Sequence, residues 1–154
     1  MMTSVGIISD THNLLRPEAI KALEGSDCII HAGDIGSLEI IEKLKSIASV
    51  YAIRGNIDKP PWGNTFPDKD VFEISDKYIY VLHNIHEIDL DPAAAGFDVV
   101  ISGHSHEPII ERKNGVLYIN PGSAGPRRFK LPISIAKLQI DNDSISADLI
   151  ELCV

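Results

Sequence analysis

Hydrophobic and polar positions along the chain fall into two regimes. Residues 5–8, 28–30 and 50–53 are compact apolar runs of the kind that form buried strands. Between the first two, residues 16–23 place Ala19, Ile20 and Leu23 on one helical face, with Pro17 in the first turn. Between the second two, residues 37–46 place Leu38, Ile41 and Leu44 at helical spacing, with Ser37 as the expected cap. Strand–helix–strand–helix–strand predicts a parallel sheet with right-handed crossovers.

After Pro60 the pattern turns β-rich. Residues 71–74 and 78–82 predict strands joined by a polar turn at Ser75, Asp76 and Lys77, and residues 98–102 predict another strand. Residues 109–111 and 116–119 flank a turn containing Asn114 and Gly115, a strong hairpin signal. Residues 133–140 and 145–152 flank a second polar turn at 141–144. This β-rich half is expected to pack as a second sheet against the first. The whole, residues 1–154, reads as one layered α/β domain.

Composition narrows the class. At 44% apolar and 23% charged residues the chain is ordinary globular material, which excludes disordered and fibrous proteins. No apolar run approaches the ~18 residues of a membrane span. Neither a basic segment nor a long apolar segment opens the chain, so no signal peptide is expected. With 22 acidic and 14 basic residues the net charge is −8, which argues against tight nucleic-acid binding. Cys28 and Cys153 form no C-x-x-C pair; Cys28 reads as a small buried hydrophobe, and a reducing, cytoplasmic setting is expected.

The apolar strands run into residues of metal-binding type. The first leads to Asp10 and His12, the second to Asp34, the third to Asn56; residues 78–82 lead to His83, and residues 98–102 to His104 and His106. The carboxyl ends of strands in an α/β sheet share one edge, where ligand sites form, so these seven side chains are expected to converge. In extended chain, residues two apart point the same way. Asp10 with His12, and His104 with His106, would then act as clamps, with Thr11 and Ser105 turned away. Gly33, Gly55 and Gly103 each precede a candidate ligand, where a positive φ would let the backbone turn sharply.

Two Asp, one Asn and four His offer hard oxygen and borderline nitrogen donors without thiolate. That set suits Mn²⁺, Fe²⁺ or Zn²⁺, with Co²⁺ and Ni²⁺ also compatible, and argues against Ca²⁺. Seven ligands exceed one such ion but serve two divalent metal ions if a carboxylate bridges, and Asp34 is the natural bridge. Two metals ~3.5–4 Å apart can hold a hydroxide between them and clamp a phosphoryl group for in-line displacement.

Ser9-Asp10-Thr11-His12, Gly33-Asp34, Gly55-Asn56, His83, Gly103-His104-Ser105-His106 and Asn120-Pro121-Gly122-Ser123 resemble, in order, the motifs of the calcineurin-like metallophosphoesterases. The small prokaryotic branch typified by the YfcE phosphodiesterase is the nearest likeness. The resemblance implies a four-layer αββα sandwich of two mixed β-sheets flanked by helices. It also implies a dinuclear centre, with Asp10, His12, Asp34 and His106 on one metal and Asp34, Asn56, His83 and His104 on the other. Mn²⁺ is the implied ion. Attack by a metal-bridging hydroxide on a small phosphodiester is the implied reaction, with Asp34, Asn56 and His83 as catalytic residues.

Two positions depart from the family pattern. Many relatives carry a histidine after the Asn, read as the general acid; here it is Ile57, which leaves Asp58 and His86 as candidate donors. Relatives commonly read His-Gly-His where this chain reads His83-Asn84-Ile85-His86, so the ligand position is kept and the loop is altered.

Other residues have plainer readings beside functional ones. His31 is expected to support the core or the ligands rather than bind metal. His86 divides between a surface loop and a substrate contact, and Asp58 is expected to orient a loop. Residues 120–123 read as a tight turn, or as amides offered to phosphate. Arg127 and Arg128 are candidate phosphate contacts, or a solvated basic loop. The aromatic, proline-rich residues 59–67 divide between a pocket lip and simple packing. The expected partner is a small phosphoester, and a homo-oligomer is compatible with the sequence. Two other functions stand as alternatives: a non-catalytic scaffold, like the retromer subunit of this fold, and a nuclease, which the acidic charge disfavours.

Overall fold

The computed structural model describes residues 2–154. Its strands are β1 (Met2–Ile8), β2 (Cys28–His31), β3 (Ser49–Ala52), β4 (Lys69–Ile74), β5 (Lys77–Leu82), β6 (Val99–Ile101), β7 (Ile109–Lys113), β8 (Val116–Asn120), β9 (Ser134–Asp141) and β10 (Ser144–Glu151). Helices α1 (Pro17–Leu23) and α2 (Leu38–Lys45) fill the first two crossovers, and a one-turn α3 (Pro92–Ala95) precedes β6. The strands form two five-stranded sheets in the orders β10-β9-β1-β2-β3 and β4-β5-β6-β8-β7.

Alternation along the strands builds the layers. Val5 and Ile7 of β1, Ile30 of β2, Ile79 and Val81 of β5, Ile101 of β6 and Leu138 of β9 meet between the sheets. The opposite faces of β1 and β2 offer Ile8 and Ile29 to Leu23 of α1 and Ile41 and Leu44 of α2. The far face of the second sheet has thinner cover: Tyr80, Leu82 and Val100 pack under Ile85, Ile88 and Phe97 from the loops around α3. The fourth layer of the sandwich is therefore short turns rather than long helices.

Two expectations are corrected, and one element is added. The C-terminal hairpin does not join the second sheet; β9 pairs antiparallel with β1 and β10 with β9. β1 is buried on both faces from Val5 onward, and β9 closes the edge of it that β2 leaves open. Ser37 occupies the N-cap of α2 but makes no capping bond, because its Oγ donates to Asn13 Oδ1 at 2.6 Å. α3 carries no helical period in so few residues; the Asp91 carboxylate that accepts from Ala93 N–H and the left-handed Gly96 define it.

Candidate metal centre

The carboxyl ends of β1, β2, β3, β5 and β6 meet on one rim, and Asp10, His12, Asp34, His83, His104 and His106 come together there. Ligand atoms of Asp10, His12 and His106 lie within 4.8 Å of one another, as do those of Asp34, His83 and His104. The groups touch. Asp34 Oδ2 is 3.4 Å from His12 Nε2 and 3.2 Å from His83 Nε2. Asp10 Oδ1 is 3.4 Å from His106 Nε2, 3.7 Å from His83 Nε2 and 3.8 Å from His12 Nε2.

Each carboxylate divides its oxygens. Asp10 Oδ2 accepts from Ser9 Oγ at 2.8 Å and from the His104 amide at 3.1 Å, which leaves Oδ1 for the site. Asp34 Oδ1 accepts from the Ile57 amide at 3.2 Å, which leaves Oδ2. Asp10 Oδ1 and the Nε2 atoms of His12, His83 and His106 are buried without a hydrogen-bond partner among the described residues. Buried polar atoms are nearly always paired, so a cluster of unpaired ones aimed at a common space marks a candidate cation site.

Burial alone would raise the Asp10 carboxyl, but the histidines His106, His12 and His83 and the Ser9 hydroxyl outweigh it and hold the group well below the usual carboxylate range. Asp34 is likewise lowered, burial being outweighed mainly by His83. The Asp10 contact raises His12, and His83 is raised by Asp34 and Asp10 against the effect of its own burial. Both carboxylates are thus held ionised and favour positive charge on the rings that face them, the charge a bound cation would supply.

The paired spacing works differently from strand alternation. Asp10, His12, His104 and His106 lie beyond their strands in left-handed backbone, at φ +56°, +46°, +70° and +63°, and Asp34 joins them at +56°. Such conformations cost ~1–3 kcal/mol each outside glycine and persist only where surroundings impose them. Here cross-loop bonds do so: Asp10 N–H donates to Gly33 O at 3.0 Å, and His12 N–H to Asp34 O at 2.9 Å. Gly33 has the expected positive φ, but Gly55 and Gly103 do not. They are glycines because of close approach: a Cβ would strike Asp34 at the first, and Ser9 and Asp10 at the second. Thr11 and Ser105 do turn away.

Supporting residues tie these loops together. Asp58 is buried and accepts from the amides of Ile35, Gly36 and Gly55 at 3.0, 3.0 and 2.8 Å, so it is no proton donor to substrate. His31 accepts from Gly33 N–H at Nδ1 (3.1 Å), which places its proton on Nε2, facing Thr11 Oγ1 at 3.0 Å. Burial pushes its pKa down to about 4, so it is neutral. Asn120 donates to Gly103 O at 3.0 Å and Ser105 Oγ at 3.1 Å, bracing the turn that carries His104. The amides of Gly122, Ala124 and Gly125 are occupied by Asn120, Ser9 and Ser123, so residues 120–125 are a brace and not a phosphate cradle.

The remaining candidates divide. Asn56 is exposed and lines a cavity of about 150 Å³ with His83. His86 is exposed and lines a cavity of about 400 Å³ with His104. Arg128 reaches the His104 carbonyl at 3.4 Å, whereas Arg127 folds back on Leu131 O at 3.1 Å. Within residues 59–67, Trp62 and Phe66 pack under the first sheet's helical face. Arg16 was not legible as part of the site: its guanidinium fixes Gly125 O at 3.0–3.1 Å, a contact across 109 residues that no local signal announces.

This arrangement agrees with what the chain resembles. Residues 3–143 match the calcineurin-like phosphoesterase superfamily domain. The chain is 37% identical to a probable metallophosphoesterase of Methanocaldococcus jannaschii, over 96% of this chain and 81% of that protein. It is 25% identical to the phosphodiesterase YfcE of Escherichia coli, over 94% and 91%. Among solved structures, a novel archaeal phosphodiesterase superposes with a TM-score of 0.78 at 29% identity, covering 96% of this chain and all of that one. Vacuolar protein sorting 29 of Cryptosporidium parvum superposes at 0.77 with 20% identity over 98% of both, a likeness of fold alone. No helix among the described residues is long and apolar enough to cross a membrane. The chain belongs to the calcineurin-like phosphoesterase superfamily.

Proposed function

We propose that the chain is a dinuclear metal-dependent phosphoesterase that hydrolyses small phosphodiesters in the cytoplasm. The observation that carries this reading is the set of buried, unpaired atoms, Asp10 Oδ1 and Nε2 of His12, His83 and His106, facing one another and Asp34 Oδ2. Asp10, His12, Asp34 and His106 would hold one ion, and Asp34, Asn56, His83 and His104 the other, with Asp34 common to both sets. The donor set suits Mn²⁺ first, then Fe²⁺, Co²⁺, Ni²⁺ or Zn²⁺. When bound, two such ions supply an activated water and neutralise the phosphoryl oxygens.

The chain's own residues do the positioning. Asp34 is held by the Ile57 amide so that Oδ2 lies between His12 and His83. Asn56 and Arg128 flank the rim, where they can donate to phosphoryl oxygens as charge develops. Asp58, tied to its three amides, has no proton to offer a leaving group. The free cysteines, Cys28 buried and Cys153 exposed, fit a reducing compartment.

A turnover screen of phosphomonoesters against phosphodiesters across Mn²⁺, Ni²⁺, Co²⁺, Zn²⁺ and Mg²⁺, with elemental analysis of the protein as isolated, tests the reading. Diester hydrolysis stimulated by Mn²⁺, with close to two ions bound, is the expected result. A metal-free chain with no stimulated turnover overturns it and favours the scaffold reading, which the Vps29-like architecture alone supports.

A further inference from the structure

A phosphodiester carries two organic groups, and the candidate centre is flanked by two unequal cavities. The cavity beside Asn56 and His83 holds about 150 Å³. The one opening from His104 holds about 400 Å³, within the range of roughly 300–1,000 Å³ typical of small-molecule sites. His104 belongs to one of the two ligand groups, so the larger cavity runs directly from the rim. Its length follows the outer face of the second sheet towards β7 and β8.

The walls define what can sit there. Ile85 and Ile109 are apolar, and Tyr118 presents a half-buried ring, packed against the cluster of Tyr80, Leu82, Val100 and Val116, with the Lys113 ammonium over it at 5.3 Å. Lys113 is itself exposed, so a group that covers the ring displaces a solvent-facing side chain. Asn84 Oδ1 is committed to the His86 amide, which leaves its Nδ2 as a donor at the cavity mouth. Glu107 and Glu111 bring two carboxylates, and Lys113 balances one of them, its Nζ lying 3.2 Å from Glu111. The lining is therefore net negative, which repels an arm with a phosphate of its own. A flat, uncharged group with polar edges fits the ring, the apolar walls and the free donor together.

We propose, resting on the phosphoesterase reading, that the larger cavity seats the non-leaving arm of the substrate and that this arm is an uncharged nucleoside lying against Tyr118. The preferred substrates are then nucleoside phosphodiesters with a single negative charge. Tyr118 and Ile109 set this preference without touching the reacting phosphorus.

Two esters with one leaving group isolate the arm: methyl 4-nitrophenyl phosphate and thymidine 5′-(4-nitrophenyl phosphate). In each, water adds to phosphorus and 4-nitrophenolate departs, so only the retained arm differs. In the Mn²⁺-loaded wild type, kcat/KM for the thymidine ester is expected to exceed that for the methyl ester by about tenfold or more, through KM, the scale of one stacking contact. Ile109→Trp, which fills the cavity, and Tyr118→Ala, which removes the ring, should each bring the ratio close to unity. Glu107→Gln should improve an ester bearing an added 3′-phosphate on the thymidine. A wild-type ratio near one, or a ratio that both cavity variants leave intact, overturns the proposal while the phosphoesterase reading stands. Failure to release nitrophenolate from either ester overturns the phosphoesterase reading, and the arm site with it.

Discussion

His83 Nδ1 donates to the Ala32 carbonyl oxygen across 2.7 Å. A carbonyl can only accept, so the ring's first proton belongs on Nδ1, and Nε2 faces Asp34 Oδ2 at 3.2 Å. In the neutral ring that is a lone pair facing a lone pair, which is stable only with a positive charge between them. A second proton serves in the metal-free protein, and a metal ion replaces it when bound.

This exchange is measurable. His12 is raised above its ordinary value by Asp10, and His83 by Asp34 and Asp10 against its burial. Near pH 6.5 both therefore carry protons in the metal-free state, and coordination must expel them. Mn²⁺ titrations by calorimetry in buffers of different ionisation enthalpy should show net proton release, with affinity rising as pH rises. A heat independent of buffer would contradict the placement of these two rings.

Asp34→Asn keeps the acceptor that meets the Ile57 amide and removes the charge shared by the two groups. Turnover is expected to fall by about 10³-fold or more, the scale of losing a major electrostatic element of a site. Bound metal should drop below two ions per chain, with the circular dichroism spectrum unchanged. Wild-type activity in this variant would remove Asp34 from the bridge.

The rim was legible because strand ends are legible: the apolar runs before Asp10, Asp34, His83 and His104 locate the carboxyl edge without tertiary information. The mechanism of the clamps was not, since alternation cannot foresee left-handed backbone imposed by bonds such as His12 N–H to Asp34 O. Gly55 and Gly103 looked like turn residues because a missing side chain reads the same in sequence whether φ or close approach requires it. The return of β9 to β1 was hidden for a further reason. Strand order depends on which edge stays uncovered, a property of the assembled sheet and not of residues 134–141.

Asp58 shows how much depends on a side chain outside the ligand set. Its carboxylate gathers three amides from the loops after β2 and β3. Asp58→Ala should cost about 3 kcal/mol in urea unfolding, since charged hydrogen bonds and orphaned amides both count against it. It should also weaken Mn²⁺ binding by about 10–100-fold through the displaced Asp34 and Asn56 loops. Equal metal affinity would limit Asp58 to stability alone.

His31 gives stability a specific pH slope. Its folded pKa of about 4 lies below the ordinary histidine value, so between the two the unfolded chain binds more protons than the folded one. Stability contributed by this group is complete above about pH 6.5, falls as pH drops, and stops falling below the folded pKa. The full loss is about 3 kcal/mol. His31→Gln offers the same acceptor to Gly33 and donor to Thr11 without titrating. Its urea midpoint should decline less steeply than that of wild type over this window, and parallel curves would show that His31 does not titrate as its burial requires.

Ile57 stands, 41% exposed, where many relatives place the histidine that protonates the leaving group, and its amide still holds Asp34 Oδ1. Without a donor there, departure depends on the intrinsic stability of the leaving oxyanion, and positioned acid catalysis worth ~10²–10⁴-fold is missing. Nitrophenyl diesters should therefore be cleaved far faster than alkyl diesters, with log kcat falling steeply as leaving-group pKa rises. Ile57→His restores an imidazole without disturbing the backbone bond to Asp34. It should flatten that slope, raising alkyl ester rates much more than nitrophenyl ones, and add an alkaline limb to the pH profile, where the new imidazole loses its proton. A slope already flat in wild type would mean that another group delivers the proton.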